Sequence, residues 1–332
     1  MNALRLVGCS KSHHDVLDKL ARVAPTDAEV LLIGPSGIGK ELYANYVHLN
    51  SQRSGQRFVP VNCGTLSGDL LENTLFGHVG GAFTGARAAS DGLVSEAEGG
   101  TLFLDEVDSL SLPCQTKLLR FLQDQQYRRL GEGRLRQANV RFIAATNTDL
   151  EKAVIEGHFR RDLFFRLRVF PIEIAPLRNR PEDIPELTAL FTARIAAEYK
   201  LPPVELSMAI IECMQHYDWP GNIRELENCI AYLTCLQLNR LVQPHDLPLL
   251  SQLSDKPTEP DEPAEPVDLQ GGDFQESKNR LVARFERQYI EQALKTTNGN
   301  VAAAARMSGK NRRALFELMR KHNIQPDAFR SA

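Results

Sequence analysis

Long apolar runs are missing from this 332-residue chain: none approaches the roughly 18 residues of a membrane span, and no apolar stretch of signal-peptide type precedes the polar Ser10-Lys11-Ser12-His13-His14. This argues against a helical membrane span, and a soluble cytoplasmic protein is expected. Paired cysteines are missing as well. The six cysteines (Cys9, Cys63, Cys114, Cys213, Cys229 and Cys235) form no C-x-x-C and stand near no histidine cluster at metal spacing, which argues against a disulfide framework and a zinc site. No internal repeat is present. Nor does one sign of charge dominate, since 39 Lys and Arg against 42 Asp and Glu leave −3. The balance conceals a segregation: residues 274–332 hold 12 basic and 5 acidic side chains, net +7, whereas residues 252–273 hold 1 and 7, net −6. A basic tail stands behind an acidic spacer.

What is present begins with alternation. Apolar strand-like runs at 30–33, 58–61, 101–104, 140–145 and 169–174 interleave with helical patterns, which predicts a parallel sheet covered by helices. After Pro176 the pattern turns all-helical, over 181–199, 207–216 and 221–236. Residues 256–266 carry four prolines, five charged side chains and no aromatic; such a stretch cannot bury a core and reads as an extended linker. The expected organisation is an α/β nucleotide-binding subdomain at 1–175, a helical lid at 176–250, a flexible acidic Pro-rich linker at 251–273 and a small all-α domain at 274–332. That last domain is small enough for dimerisation to help its stability.

Gly34-Pro35-Ser36-Gly37-Ile38-Gly39-Lys40 fits G-x-x-x-x-G-K, follows the first strand and opens a helical pattern. Its glycines let backbone N–H groups close around phosphate oxygens, the helix N-terminus favours the anion, and Lys40 reaches the outer phosphates, so an ATP site is expected. Glu41 stands where the general motif has the Ser or Thr that holds Mg²⁺. Asp105, ending the strand at 101–104, is the expected Mg²⁺ carboxylate, and Glu106 is placed to polarise an attacking water. The plainer reading of two such carboxylates is a helix cap. Between these motifs lie Gly81-Ala82-Phe83-Thr84-Gly85-Ala86, whose glycines accept the φ > 0 of a folded-back tip. Alone this is a Gly-rich surface turn; in this position it reads as a tip for touching another protein.

The G-x-x-x-x-G-K-E loop, Leu75-Phe76-Gly77-His78 leading into Gly81, and the run from Gly99 to Glu106 together resemble the AAA+ bacterial enhancer-binding proteins that activate sigma-54 RNA polymerase. The similarity covers nearly the whole chain. It implies an AAA+ P-loop ATPase with a helical lid, in which Glu41 is usual and the hexapeptide from Gly81 to Ala86 contacts sigma-54 through Phe83 and Thr84. It implies that Asn62 holds and releases the catalytic Glu106, that Thr146 and Asn147 sense the γ-phosphate, that Arg160 and Arg166 are fingers inserted by a neighbouring subunit, and that Arg224 is the lid sensor. Read without the family, Asn62 is a strand-end hydrogen bonder, Arg160 and Arg166 a solvated basic face, and Arg224 an exposed helix residue paired with Glu227 or Asn228. Val79 and Ser95 depart from the family's usual Glu at both positions, which puts the strength of coupling between nucleotide and loop in question. The ATPase domain begins almost at Met1, so control is expected from another chain, from expression level or from a ligand.

In the basic tail, the run from Gly299 to Ala305, Gly309, and Asn311-Arg312-Arg313-Ala314-Leu315-Phe316 read as helix, turn, helix. They resemble the Fis-type helix-turn-helix, dimerising through a helix at 274–296. Lys310, Asn311, Arg312, Arg313, Arg320 and Lys321 are the expected DNA-binding residues. The whole implies an activator bound to upstream enhancer DNA that, as a homo-oligomeric ring (a hexamer) or a mixed ring with a related activator, hydrolyses ATP to remodel the sigma-54 holoenzyme. The rival reading is a DNA-binding repressor or co-activator that needs only nucleotide-dependent oligomerisation.

Overall fold

The computed structural model describes residues 6–65, 68–82, 88–238, 240–247 and, towards the C-terminus, 290, 294, 297, 300–307, 312–321 and 324. The chain divides into two compact units, Met1–Lys256 and Pro257–Ala332.

In the first unit, five strands form one sheet: β1 (Val30–Ile33), β2 (Phe58–Asn62), β3 (Thr101–Asp105), β6 (Arg141–Thr146) and β7 (Phe170–Glu173), in the order β2-β3-β6-β1-β7. All neighbours run parallel. The expected strands are therefore present to within a residue or so at each end. The three inner strands are buried almost throughout, as a sheet covered on both faces requires. Pro60 and Pro171 fall in the two edge strands, where a missing ladder donor is tolerated.

Alternation along the strands divides the core in two. Leu31, Val59, Val61, Leu102, Leu104, Phe142 and Ala144 face α5 (Leu112–Asp124) and α7 (Arg161–Leu167) among others. Val30, Leu32, Phe103, Ile143, Ala145 and Ile172 face α1 (Lys11–Val23) and α2 (Lys40–Leu49). The short helices α3 (Gly68–Phe76), α4 (Leu93–Glu96) and α6 (Leu150–Ile155) lie in the connections, with an antiparallel pair, β4 (Gln126–Tyr127) and β5 (Arg136–Gln137), that the alternation pattern did not announce.

Beyond β7 the unit is helical: α8 (Ile184–Tyr199), α9 (Met208–His216, capped by Ser207) and α10 (Asn222–Leu236) close around Trp219, Phe191, Ile230 and Leu233. In the second unit, α11 (Val301–Met307) and α12 (Arg312–Lys321) bury Ala304, Ala305, Leu315 and Met319 with Ile290 and Leu294. Asn300 caps α11 by accepting the Ala303 N–H at 3.2 Å. The linker, the rest of the helix expected at 274–296, Gly309, Lys310 and Asn311 lie outside the described residues. Among the described residues, no helix is long and apolar enough to cross a membrane.

Candidate nucleotide site

A parallel sheet delivers all its strand ends to one edge, and ligands of open α/β sheets bind outside the carboxyl ends. Here that edge gathers Gly34 after β1, Asn62 ending β2, Asp105 ending β3 and Thr146 ending β6. The register is direct: Ile33 lies opposite Thr146 and Asn62 opposite Asp105. The Gly34 N–H donates to the Thr146 carbonyl at 3.2 Å, which anchors the start of the loop. Gly37 and Gly39 have φ of 79° and 84°, values open to glycine, and the buried Ile38 between them pins the loop to the core.

Lys40 opens α2 and is only 6% exposed. Its ammonium donates to the carbonyls of Gly34 at 3.0 Å and Pro35 at 3.2 Å. Burial pushes its pKa down, opposed by the facing carboxylates of Asp105, Glu106 and Asp108. A cation among carboxylates at a glycine-lined loop is a donor set that fits a polyphosphate with a divalent metal. Glu41 is exposed on the first turn of α2.

Glu106 has a φ of 56°, an uncommon backbone for a residue with a side chain, held by its own N–H donating to Asp105 Oδ1 at 3.0 Å. Its carboxylate lies over Gly64, so close that a methyl built there would overlap Glu106 Oε2 and come within 3.3 Å of Asn62 Oδ1. Asn62 Oδ1 accepts the Gly64 N–H at 2.8 Å. Asn62 and Glu106 thus meet across a glycine that the motif reading passed over; a Gly two residues beyond a strand-end Asn was its only signal. Thr146 donates to Asp108 Oδ1 at 2.7 Å and accepts the Thr148 N–H at 3.1 Å. Asn147 is exposed beside it.

The helical lid docks directly on the phosphate loop. The Arg224 N–H donates to the Gly37 carbonyl at 3.1 Å, and the Asn222 amide donates to the Ser36 carbonyl at 2.9 Å while its oxygen accepts the Leu177 N–H at 2.9 Å. Asn222 is 2% exposed with φ 54°. The Arg224 side chain is exposed; Glu227, one partner considered for it, pairs instead with Arg194. A second tie is buried. Asp183, fully enclosed ahead of α8, accepts from Ser10 N at 2.7 Å and Ser10 Oγ at 2.9 Å and lies 3.5 Å from Arg180, which contacts the Tyr43 hydroxyl of α2 at 3.3 Å.

Arg160 stands just ahead of α7 and forks onto Asp162, at 3.0 and 2.6 Å; that bond holds Asp162 below the usual carboxylate range. Arg166 donates to the Leu122 carbonyl at 2.8 Å and pairs with Glu29 at 2.8 Å. Both arginines are half-exposed and stand apart from the loop's own contacts. Phe83, Thr84, Gly85 and Ala86 lie outside the described residues. Their root is defined: Gly81 has φ 81°, Ala82 N–H donates to Val79 O at 3.2 Å, and Val79 and Gly77 are laced to Leu130 of the β4–β5 turn. Ser95 borders, with Asn73, His78 and Ser90, a cavity of about 620 Å³ at the same root. In the second unit Arg320 and Lys321 are exposed on α12, and Arg312 and Arg313 are its first two residues.

Comparison with known proteins accords with this geometry. Residues 6–173 match the sigma-54 interaction domain, 178–264 an AAA+ ATPase lid domain and 281–322 the bacterial regulatory protein, Fis family. The chain is 40% identical over 97% of its length to the formate hydrogenlyase transcriptional activator of Salmonella typhimurium, of which it spans 45%, so it is less than half the length of that relative. It is 43% identical over 90% of its length to the Sigma54-dependent transcriptional activator SfnR of Pseudomonas putida, covering 82% of it. The crystal structure of NtrX from Brucella abortus in complex with ATP superposes with a TM-score of 0.71 at 33% identity, covering 97% of this chain and 70% of that one. With the interaction domain, lid and Fis-type segment matched in order, the chain belongs to the family of sigma-54-dependent transcriptional activators.

Proposed function

We propose that this chain binds ATP at the carboxyl edge of the sheet, hydrolyses it as a ring, and uses the cycle to drive the loop at 81–86 against a sigma-54 polymerase complex while its C-terminal unit holds upstream DNA. The observation that carries the reading is the junction of Asn62, Gly64 and Glu106 near Lys40, at the edge where the lid also touches the phosphate loop; in this reading Glu106 is the general base and Asn62 the residue that holds and releases it. Bound there with Asp105 as protein ligand, Mg²⁺ would neutralise charge on the transferred phosphate. Lys40 holds the outer phosphates, Glu106 takes the proton of the attacking water, Thr146 and Asn147 stand at the end of β6 where the γ-phosphate is sensed, and Arg224 carries the lid's response. Arg160 and Arg166 act on a neighbour's site, where a trans arginine contributes about 10³ to 10⁵ in rate. The output runs from Asn62 at the end of β2 through α3 to Gly77 and Val79, whose hydrogen bonds to Leu130 give the loop a firm root.

The test uses purified full chain with sigma-54 holoenzyme. Thr84→Ala and Phe83→Ala are expected to hydrolyse ATP like wild type and to fail in opening a promoter, because neither residue belongs to the phosphate site. Normal activation by both overturns the contact role. ATPase per subunit is expected to rise with protein concentration as rings form; a flat profile overturns the shared site.

A further inference from the structure

An exposed aromatic ring on a basic helix is the feature that the nucleotide site and the loop leave unused. On α12, Leu315 and Met319 are buried at 1% and 2%, whereas Phe316 is 58% exposed. Arg320, one turn further on, is exposed too, and Lys321 follows it. Arg312 stands one turn before Phe316. Side chains four apart share a helix face, so the ring and Arg320 lie on one face of the helix. Of the ten residues of α12, four are basic and one, Glu317, is acidic.

The occupant of such a face must be anionic yet offer an apolar feature. Charge complementarity selects nucleic acid, and the major groove of duplex DNA admits a helix and presents one apolar group, the C5 methyl of thymine, among its donors and acceptors. Arginines meet phosphates and guanine edges; a phenyl ring meets that methyl. Phenylalanine has no hydrogen-bonding group, so its contribution is to sequence choice and not to salt-dependent attraction.

We propose that Phe316 is a sequence-reading residue, its ring packing on the C5 methyl of a thymine while Arg320 engages the flanking backbone; this rests on the DNA-binding role assigned above to the C-terminal unit. Because the ring lies outside the core of α11 and α12, truncating it leaves that core intact.

The experiment starts with the full chain and a pool of random-sequence duplexes, from which the preferred site is selected. Each thymine of that site is then replaced singly by uracil, which removes only the methyl group. For wild type, one replacement is expected to weaken binding about fourfold, the effect of one buried methyl-sized group. Phe316→Ala is expected to lose sensitivity to that same replacement while keeping wild-type ATPase and salt dependence, and Phe316→Leu to keep part of it. If every uracil site affects wild type and Phe316→Ala alike, or if Phe316→Ala changes only the sedimentation of the chain, the ring packs on protein and the proposal is overturned. A wild-type chain that selects no sequence overturns the DNA-binding reading itself, and this inference with it.

Discussion

Substituting Gly64 by Ala separates binding from chemistry at this site. The added methyl would overlap Glu106 Oε2 and reach 3.4 Å from its Cδ and 3.3 Å from Asn62 Oδ1. Gly64 is not among the residues of positive φ, so the backbone accepts alanine without strain. What yields is the free end of a flexible side chain, which moves at little cost in folding energy. The unfolding free energy should therefore stay within about 1 kcal/mol of wild type, as for substitutions away from the core. Catalysis is less forgiving, because a displacement of about 1 Å in a reacting group costs on the order of 10²-fold in rate. Lys40 and the loop from Gly34 to Gly39 are untouched, so nucleotide affinity should be unchanged. The assay is steady-state ATPase of assembled protein with nucleotide binding measured by calorimetry, and Glu106→Gln as the reference for complete loss of the base, expected to fall by roughly 10² to 10⁴. A Gly64→Ala protein that hydrolyses within threefold (~0.65 kcal/mol) of wild type would refute the idea that Glu106 works from the position it occupies over Gly64.

Asp183→Ala should destabilise the first unit by about 3 to 5 kcal/mol, because it leaves Arg180, 2% exposed, as an unpaired buried charge; urea unfolding reads this directly, and a loss below 1 kcal/mol would mean that Ser10 and Tyr43 suffice without the carboxylate. Arg166→Ala alone should be inactive, yet regain hydrolysis when mixed with Lys40→Ala, whose arginine can serve an intact site; no recovery in rings shown to be mixed would rule out a finger in trans. Glu29→Gln should leave Arg166 one competing contact fewer and raise ATPase modestly at subsaturating protein, and a fall would show that Glu29 positions the finger. Burial pushes the imidazoles of His13 and His48 below their ordinary 6.5. The folded state therefore binds fewer protons than the unfolded chain once pH drops through 6.5, so stability is full above that value and declines below it. A denaturation midpoint that is flat across this range would contradict the buried neutral imidazoles.

The sheet was legible because its inner strands are buried on both faces, and such strands read as short continuous apolar runs bounded by polar turns. Residues 30–33 and 101–104 carry no alternation to confuse with a helix, and β6 is buried along all six residues. The β4–β5 pair was not legible for the opposite reason: two residues a strand, among Arg128, Arg129, Gly131 and Gly133, leave no periodicity to find. Its role is nonetheless structural, since Leu130 within its turn exchanges hydrogen bonds with Gly77 and Val79.

The site divides along the same line. Residues proposed to act through their own chemical type, such as Lys40, Asp105 and Glu106, announce themselves from spacing and strand ends. Residues that act through position do not. Asn222 looks like one more polar residue after Pro220 and Gly221, yet it is buried with φ 54° and joins Ser36 of the phosphate loop to Leu177 of the lid. Gly64 acts by lacking a side chain. Arg224, by contrast, stands out from its motif, but its main chain and not its guanidinium makes the contact to Gly37. The lid therefore grips the loop through backbone and amide groups, while the Arg224 side chain remains exposed. That division leaves the docking independent of what the Arg224 side chain meets, so the sensing role proposed for the guanidinium does not require breaking the joint that holds the lid in place.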